Sequence, residues 1–145
     1  MIRPYLPTDK NELISIFLLH TPEYFDPKEV ADYEAYLSEN AHLYFTIEHE
    51  NKIVGGVGYY VNDRNKSGQI TWIFFDPAYV GLGLGRKAME HCFTIFKSDP
   101  TIEKLVVTTS QKAYKFFEKF GYGLVETQKD YWGPGLDLYL MEREF

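Results

Sequence analysis

Three glycines alternate with larger residues in Asp76-Pro77-Ala78-Tyr79-Val80-Gly81-Leu82-Gly83-Leu84-Gly85-Arg86-Lys87-Ala88. This stretch follows an apolar run, Ile70 to Phe75, and opens an amphipathic helical pattern. Glycine at every second position leaves the main chain bare, so its N–H groups can turn into one concave space. A helix starting there adds the positive end of its dipole. Arg86 and Lys87 place two cations at the mouth. Such a construction suits a pyrophosphate.

Three Gly-rich loops compete for the segment. A Walker A loop is excluded, because no Gly-Lys-Ser/Thr closes the run. The dinucleotide fingerprint G-x-G-x-x-G/A is present literally as Gly83-x-Gly85-x-x-Ala88. That fingerprint follows its strand directly and takes a ribose with an acidic residue at the end of the next strand. Here Asp76-Pro77 intervenes, and the next strand, Leu105 to Val107, runs into Thr108-Thr109-Ser110 with no carboxylate. The remaining pattern is strand, Val/Phe-x-Pro, Q/R-x-x-G-x-G/A, helix. The chain fits it except that Val80 stands at the Gln/Arg position.

This segment resembles motif A of the GCN5-related N-acetyltransferases, the GNAT superfamily. A second segment, Ser110-Gln-Lys-Ala113-Tyr114-Lys-Phe116-Phe117-Glu-Lys-Phe120-Gly121-Tyr122, is similar to motif B of the same superfamily. Ile2-Arg3-Pro4-Tyr5 resembles its first strand and Ile53-Val54-Gly55-Gly56 its third. The ending, Lys129 to Leu138, is similar to that of a bacterial branch. The resemblance implies acetyl-CoA as co-substrate and a wedge between the fourth and fifth strands. The pantetheine arm would lie there along Ile73, Phe74 and Phe75. The amides of Val80, Gly81, Leu82, Gly83, Leu84, Gly85 and Arg86 would hold the pyrophosphate, with Lys87 beside them. Ser110, Ala113, Phe116 and Phe117 would wall the arm. A free N–H near Phe75 would face the thioester oxygen.

The reaction so implied is direct attack of an amine on the thioester, in a ternary complex. Where the superfamily carries a tyrosine acid, this chain has Phe117, which cannot give a proton to the departing thiol. Ser110, Tyr114 and Phe117 stand at i, i+4 and i+7, so one helical face would carry all three. Tyr114 is therefore the candidate to assist the thiolate. The resemblance puts the glutamate base of some superfamily members at Gln69, which cannot accept a proton. Candidate bases are His20 and Glu23, between the first helices, and Asp130, near the C-terminal hairpin. Phe117, Gln69 and Val80 also fit a second reading, a catalytically idle acyl-CoA-binding module. A third reading is a mononucleotide-binding protein.

The elements must place these parts. Asp9 to Leu19 reads as a helix with Leu13, Ile14, Phe17 and Leu18 on one face. Asp26-Pro27-Lys28-Glu29 reads as a helix start with a capping box, continued by Val30, Tyr33 and Leu37. Leu43, Phe45 and Ile47 alternate as a strand, and Glu50-Asn51-Lys52 turns it into Ile53–Val61. Ile70 to Phe75 is apolar on both faces and should be central. The helix after the loop turns Ala88, Met89, Cys92, Phe93 and Phe96 inward. Gln111 to Lys119 reads as helix ended by Gly121. Leu124–Gln128 and Leu136–Met141 read as an antiparallel pair. The order is βααβββαβαββ: an α/β (α+β) fold, a mixed sheet of six or seven strands with four helices, as one domain over residues 1–145.

Composition narrows the partners. The net charge of −6 disfavours nucleic acid and is compatible with a cationic amine. Aromatic residues make up 17% of the chain, a high share that core and strand packing explains and that a groove around a long flexible ligand would also use. The single Cys92 excludes an internal disulfide and suggests a reducing compartment. No apolar run approaches a membrane span and no signal peptide is visible, so a cytoplasmic location is expected. Cys92 sits on the inward helix stripe, as a core residue. His20, His42, His49 and His91 have no ligand spacing, so no metal is expected. Tyr131-Trp132-Gly133-Pro134-Gly135 reads as a rigid aromatic loop, which is either a structural turn or a functional segment, a lid on the acceptor pocket or a homodimer contact.

Overall fold

The computed structural model describes residues 1–145. The first four strands are β1 (Ile2–Pro4), β2 (Tyr44–His49), β3 (Lys52–Asn62) and β4 (Ser67–Phe75). These are followed by β5 (Lys104–Thr109), β6 (Gly123–Gly133) and β7 (Leu136–Glu144). They form one seven-stranded sheet in the order β1-β2-β3-β4-β5-β7-β6. Every pairing is antiparallel except β4 with β5. The β2–β3 hairpin closes through Glu50 and Asn51, both at positive φ, the backbone that a two-residue hairpin turn needs.

Helices cover both faces. On one face lie α1 (Lys10–Leu18) and α2 (Glu29–Glu39), packing Leu13, Phe17, Tyr33 and Leu37 against Tyr44 and Phe74. The buried stripe of α1 is Leu13, Ile16 and Phe17, whereas Leu18 is 48% exposed. The spacing i, i+3, i+4 fixes that stripe, and Leu18 falls one step past it. The two bonds expected of a capping box ahead of α2 form, Glu29 Oε1 accepting from the Asp26 amide at 3.0 Å and Asp26 Oδ1 from the Lys28 amide at 3.0 Å, but the regular helix starts only at Glu29, with Lys28 rather than Asp26 at its cap. On the other face, α3 (Leu84–Lys97) buries Ala88, Met89, Cys92 and Phe96 over Val54, Val57, Leu105 and Met141. Phe93 is half-buried beneath the Arg143 guanidinium. Burial pushes the Cys92 thiol up to about 12, which makes it an inert core group.

The helix expected over Gln111–Lys119 is shorter. Only Tyr114–Glu118 is helical, here α4; Ser110 to Ala113 is a turn in which the Ala113 and Tyr114 amides both donate to the Ser110 carbonyl. Gly121 ends the segment at φ +87°, its amide donating to Glu118. β6 and β7 are longer than the sequence pattern suggests. β6 is the sheet edge, with Leu124, Val125 and Tyr131 exposed, and the expected dimer contact lies on it. No helix is long and apolar enough to cross a membrane.

Two irregularities shape β4. Gly58 pairs with Thr71 and Gly56 with Phe74, so β4 carries one extra residue, a bulge with Trp72 at φ +42°. And β4 pairs with β5 only over Ser67–Gln69; from Ile70 onward the two strands part.

Candidate active site

The parting of β4 and β5 opens a cleft of about 1190 Å³. Its floor is the end of β4, Gln69 to Phe75, and its far wall is Val107 to Ser110. In the β3–β4 ladder the Asp76 amide donates to the Val54 carbonyl, and Gly56 faces Phe74. Antiparallel residues alternate in the direction of their polar groups. Phe75, lying between those two positions, therefore turns both its N–H and its C=O away from β3 and into the gap. Its carbonyl accepts a hydrogen bond from His20 Nε2 at 2.6 Å.

The Gly-rich loop stands at one end of the cleft. Asp76 Oδ1 caps its entry by accepting from the Ala78 amide at 2.9 Å. Gly81 (φ +84°) and Gly83 (φ +71°) adopt the left-handed backbone, with nothing within 4 Å of where a Cβ would sit. Glycine is required there by conformation, and the space beside it is open. At Gly85 the reason differs: a Cβ would come within 2.6 Å of the Phe116 ring, so α3 and α4 meet through this bare position. The Tyr79 amide donates to Asp76 and the Lys87 amide to Gly83. Between them, the seven amides from Val80 to Arg86 have no acceptor within the protein.

Most of the candidate site residues meet in this cleft. Ile73–Phe75, Val80, Gly81, Gly83–Arg86, Ser110, Ala113, Phe116 and Phe117 all line it. Leu82 and Lys87 do not. Lys87 follows Arg86 by one helical step and lies on another side of α3, beside His91 and Thr94. Tyr114 is also outside the wall. The i, i+4, i+7 argument needs helix from residue 110, but the helix begins at Tyr114 itself, and the ring packs on Tyr139 with centroids 5.0 Å apart. Phe117 is 3% exposed at the bottom of the cleft. Ser110 Oγ, also buried, accepts from the Lys112 amide at 3.2 Å.

Of the candidate bases, His20 and Glu23 line the cleft, and Asp130 does not. Asp130 is a turn residue: its carboxylate accepts from the Gly135 amide at 2.8 Å, and its own amide donates to Asp137. The aromatic loop does reach the site. Trp132 lines the cleft and donates through Nε1 to the Thr109 carbonyl at 2.9 Å. Gly133 lies so close to the Asp26 side chain that no Cβ fits. The β6–β7 hairpin thus arches from β5 to the start of α2.

Charge is divided along the cleft. Arg86, Lys112, Lys115 and Lys119 line it from α3 and the α4 segment. Glu23 lines it from the α1–α2 connection, Glu29 from the first residue of α2 and Asp76 from just past the end of β4. Glu29 is only 6% exposed, and burial holds its carboxyl above the ordinary carboxylate range, opposed by the Asp26 amide. The lysines recur at i, i+3 and i+7, a spacing that is itself a sequence signal for this basic wall. Trp72 and its bulge carry no such signal, since a strand one residue too long has no distinct residue pattern.

Comparison with known proteins agrees with this geometry. The profile of the Acetyltransferase (GNAT) family matches residues 11–122. N-alpha-acetyltransferase 50 of Danio rerio is 33% identical over 57 residues, 37% of this chain, and the chain spans about a third (34%) of that protein's length. Among solved structures, Ard1 from Thermoplasma volcanium superposes with a TM-score of 0.82 at 17% identity, over 99% of this chain and 96% of that one. The ribosomal-protein-S18-alanine N-acetyltransferase from Escherichia coli gives 0.78 at 17% identity, over 99% and 92%. An aminoglycoside 6'-N-acetyltransferase complexed with coenzyme A gives 0.76 at 13% identity, over 99% and 96%. A loop of unclaimed amides, a strand pair that parts beside it and a profile covering most of the sequence lead to one conclusion: the chain belongs to the acetyltransferase (GNAT) family.

Proposed function

We propose that this protein transfers the acetyl group of acetyl-CoA to a primary amine, carried by a small molecule or exposed on a protein, by direct attack in a ternary complex. One observation carries the reading. Seven amides without protein acceptors border a cleft whose floor presents the Phe75 N–H. The pyrophosphate would sit on the amides of Val80 to Arg86, at the start of α3, with Arg86 at its side. The pantetheine arm would run along Ile73–Phe75 in the place that β5 leaves open. Phe75 N–H would then stabilise the charge that develops on the thioester oxygen, without any reorganisation at the moment of reaction. The amine must arrive or become neutral, because an ammonium has no lone pair to attack with. Glu23, Glu29 and Asp76 favour a substrate that approaches as a cation.

Calorimetry with coenzyme A, paired with thiol-release assays on 1,4-diaminobutane, phenethylamine and a peptide with a free N-terminus, tests this reading. The expected result is saturable coenzyme binding and thiol release with at least one amine. The substitution pattern at Phe117 and Gln69 sustains a second reading, an acyl-CoA-binding module. Coenzyme binding with no release on any amine would establish it instead.

A further inference from the structure

His20 sits just beyond α1, in a turn closed by the Tyr24 and Phe25 amides donating to its carbonyl. Its ring is fixed by edge-to-face contacts with Tyr24 and Phe74, at centroid distances of 5.7 and 6.4 Å. Nε2 stands 2.6 Å from the Phe75 carbonyl oxygen. A carbonyl only accepts, so Nε2 carries the hydrogen, and the lone pair of the neutral ring lies on Nδ1. Nδ1 has no donor in the protein, and it is not among the occluded atoms that lack a partner. A base is thus held by the same residue, Phe75, whose N–H faces the gap.

We propose, on the acyl-transfer reading above, that His20 Nδ1 is the proton acceptor for the incoming amine. The ammonium gives one proton to Nδ1. The freed nitrogen pair forms the C–N bond to the thioester carbon, and the C–S pair leaves with sulfur as thiolate. The nitrogen then loses a second proton, which ends on the thiolate, and the imidazolium returns its own proton to solvent. The bond to Phe75 persists throughout, because the imidazolium has hydrogen on both nitrogens. The titratable neighbours are Glu23 and Tyr24 on the same turn, Asp76 at the end of β4 and Glu29 at the start of α2.

His20→Gln keeps an N–H that can reach the Phe75 carbonyl and removes the base. With the fastest amine of the panel, kcat should fall by about 10², the acidic limb of its pH profile should disappear, and the KM for acetyl-CoA should stay within twofold. In His20→Gly, added imidazole should restore rate. Nitrogen-15 NMR of the wild-type ring should show hydrogen on Nε2 and a bare Nδ1, whether or not the protein turns over. Superimposable pH profiles for wild type and His20→Gln, or a ring with hydrogen on Nδ1 instead, would overturn the assignment. Failure of the wild type on every amine would instead overturn the acyl-transfer reading, and this role with it.

Discussion

The Tyr44 phenol donates to the Trp72 carbonyl at 2.8 Å and accepts from the Tyr33 hydroxyl at 3.1 Å. Trp72 is the residue at positive φ in the β4 bulge, three positions before Phe75. Gly56 leaves the room that the Tyr44 ring occupies; a Cβ there would fall within 2.8 Å of the ring. A buried aromatic hydroxyl therefore holds the strand distortion that decides which way the following backbone faces. Tyr44→Phe strands the Trp72 carbonyl and the Tyr33 hydroxyl, a loss of about 1–3 kcal/mol. Chemical denaturation should show it, and kcat should fall several-fold with little change in the KM for acetyl-CoA.

Gly83→Ala places a Cβ on a backbone at φ +71°, a strain of about 1–2 kcal/mol. No side chain is displaced, so the whole effect falls on the direction of the neighbouring amides. Coenzyme A affinity by calorimetry should drop at least tenfold. An unchanged affinity would mean that the phosphates lie elsewhere.

Tyr114→Phe should leave kcat within twofold across the whole pH range, since the ring packs on Tyr139 and stays off the cleft wall. A tenfold loss, the usual scale of acid–base participation, would put this hydroxyl back into the reaction.

Asp9 is the hub of a buried ionic cluster. Arg3 grips it with two bonds, at 2.8 and 2.9 Å, while the Leu6 amide and the Thr46 hydroxyl each add one at 2.8 Å. Burial alone would raise its carboxyl, but Arg3, the Leu6 amide and Thr46 together hold it below the ordinary range. A carboxyl depressed on folding contributes stability above its unfolded value, and that stability is lost as pH falls through the folded value. Asp9→Asn should cost about 3 kcal/mol at pH 7, and the difference from wild type should close as the pH is lowered through the acid range.

Glu29 behaves in the opposite sense. Its carboxyl is raised by burial, so at neutral pH its ionisation subtracts from stability, and this penalty disappears once the pH falls below the unfolded value. Glu29→Gln retains an oxygen for the Asp26 amide. The melting temperature at pH 7 should rise by about 2–4 °C, with no gain in acid. The KM for a cationic amine should rise several-fold, because a carboxylate leaves the acceptor side of the cleft.

The parts of the site that are local in sequence are legible in it. Alternating glycines declare the loop, and apolar residues on both faces declare β4 as central. The order of elements follows from periodicity and capping, down to the Asp26–Glu29 box. What the sequence hides depends on partners far along the chain or on local hydrogen bonds that interrupt a helix. The phase of Tyr114 is lost because the Ser110 carbonyl takes two amides in a turn where the pattern suggests continuous helix. Lys87 looks like a partner of Arg86, yet one helical step carries it to another side of α3. His20 is visible as a candidate, but its tautomer is set by Phe75, 55 positions away.

The run of amides from Val80 to Arg86 has a thermodynamic consequence for the resting protein. Bonded only to water, these hydrogens should exchange with solvent among the fastest of any ordered segment, while the preceding amides that pair with β3, such as that of Asp76, are held in the sheet. Occupancy would reverse that contrast. Each tenfold rise in coenzyme above its dissociation constant would add about 1.4 kcal/mol to the folded state, so the melting temperature of this protein would read out the supply of the coenzyme.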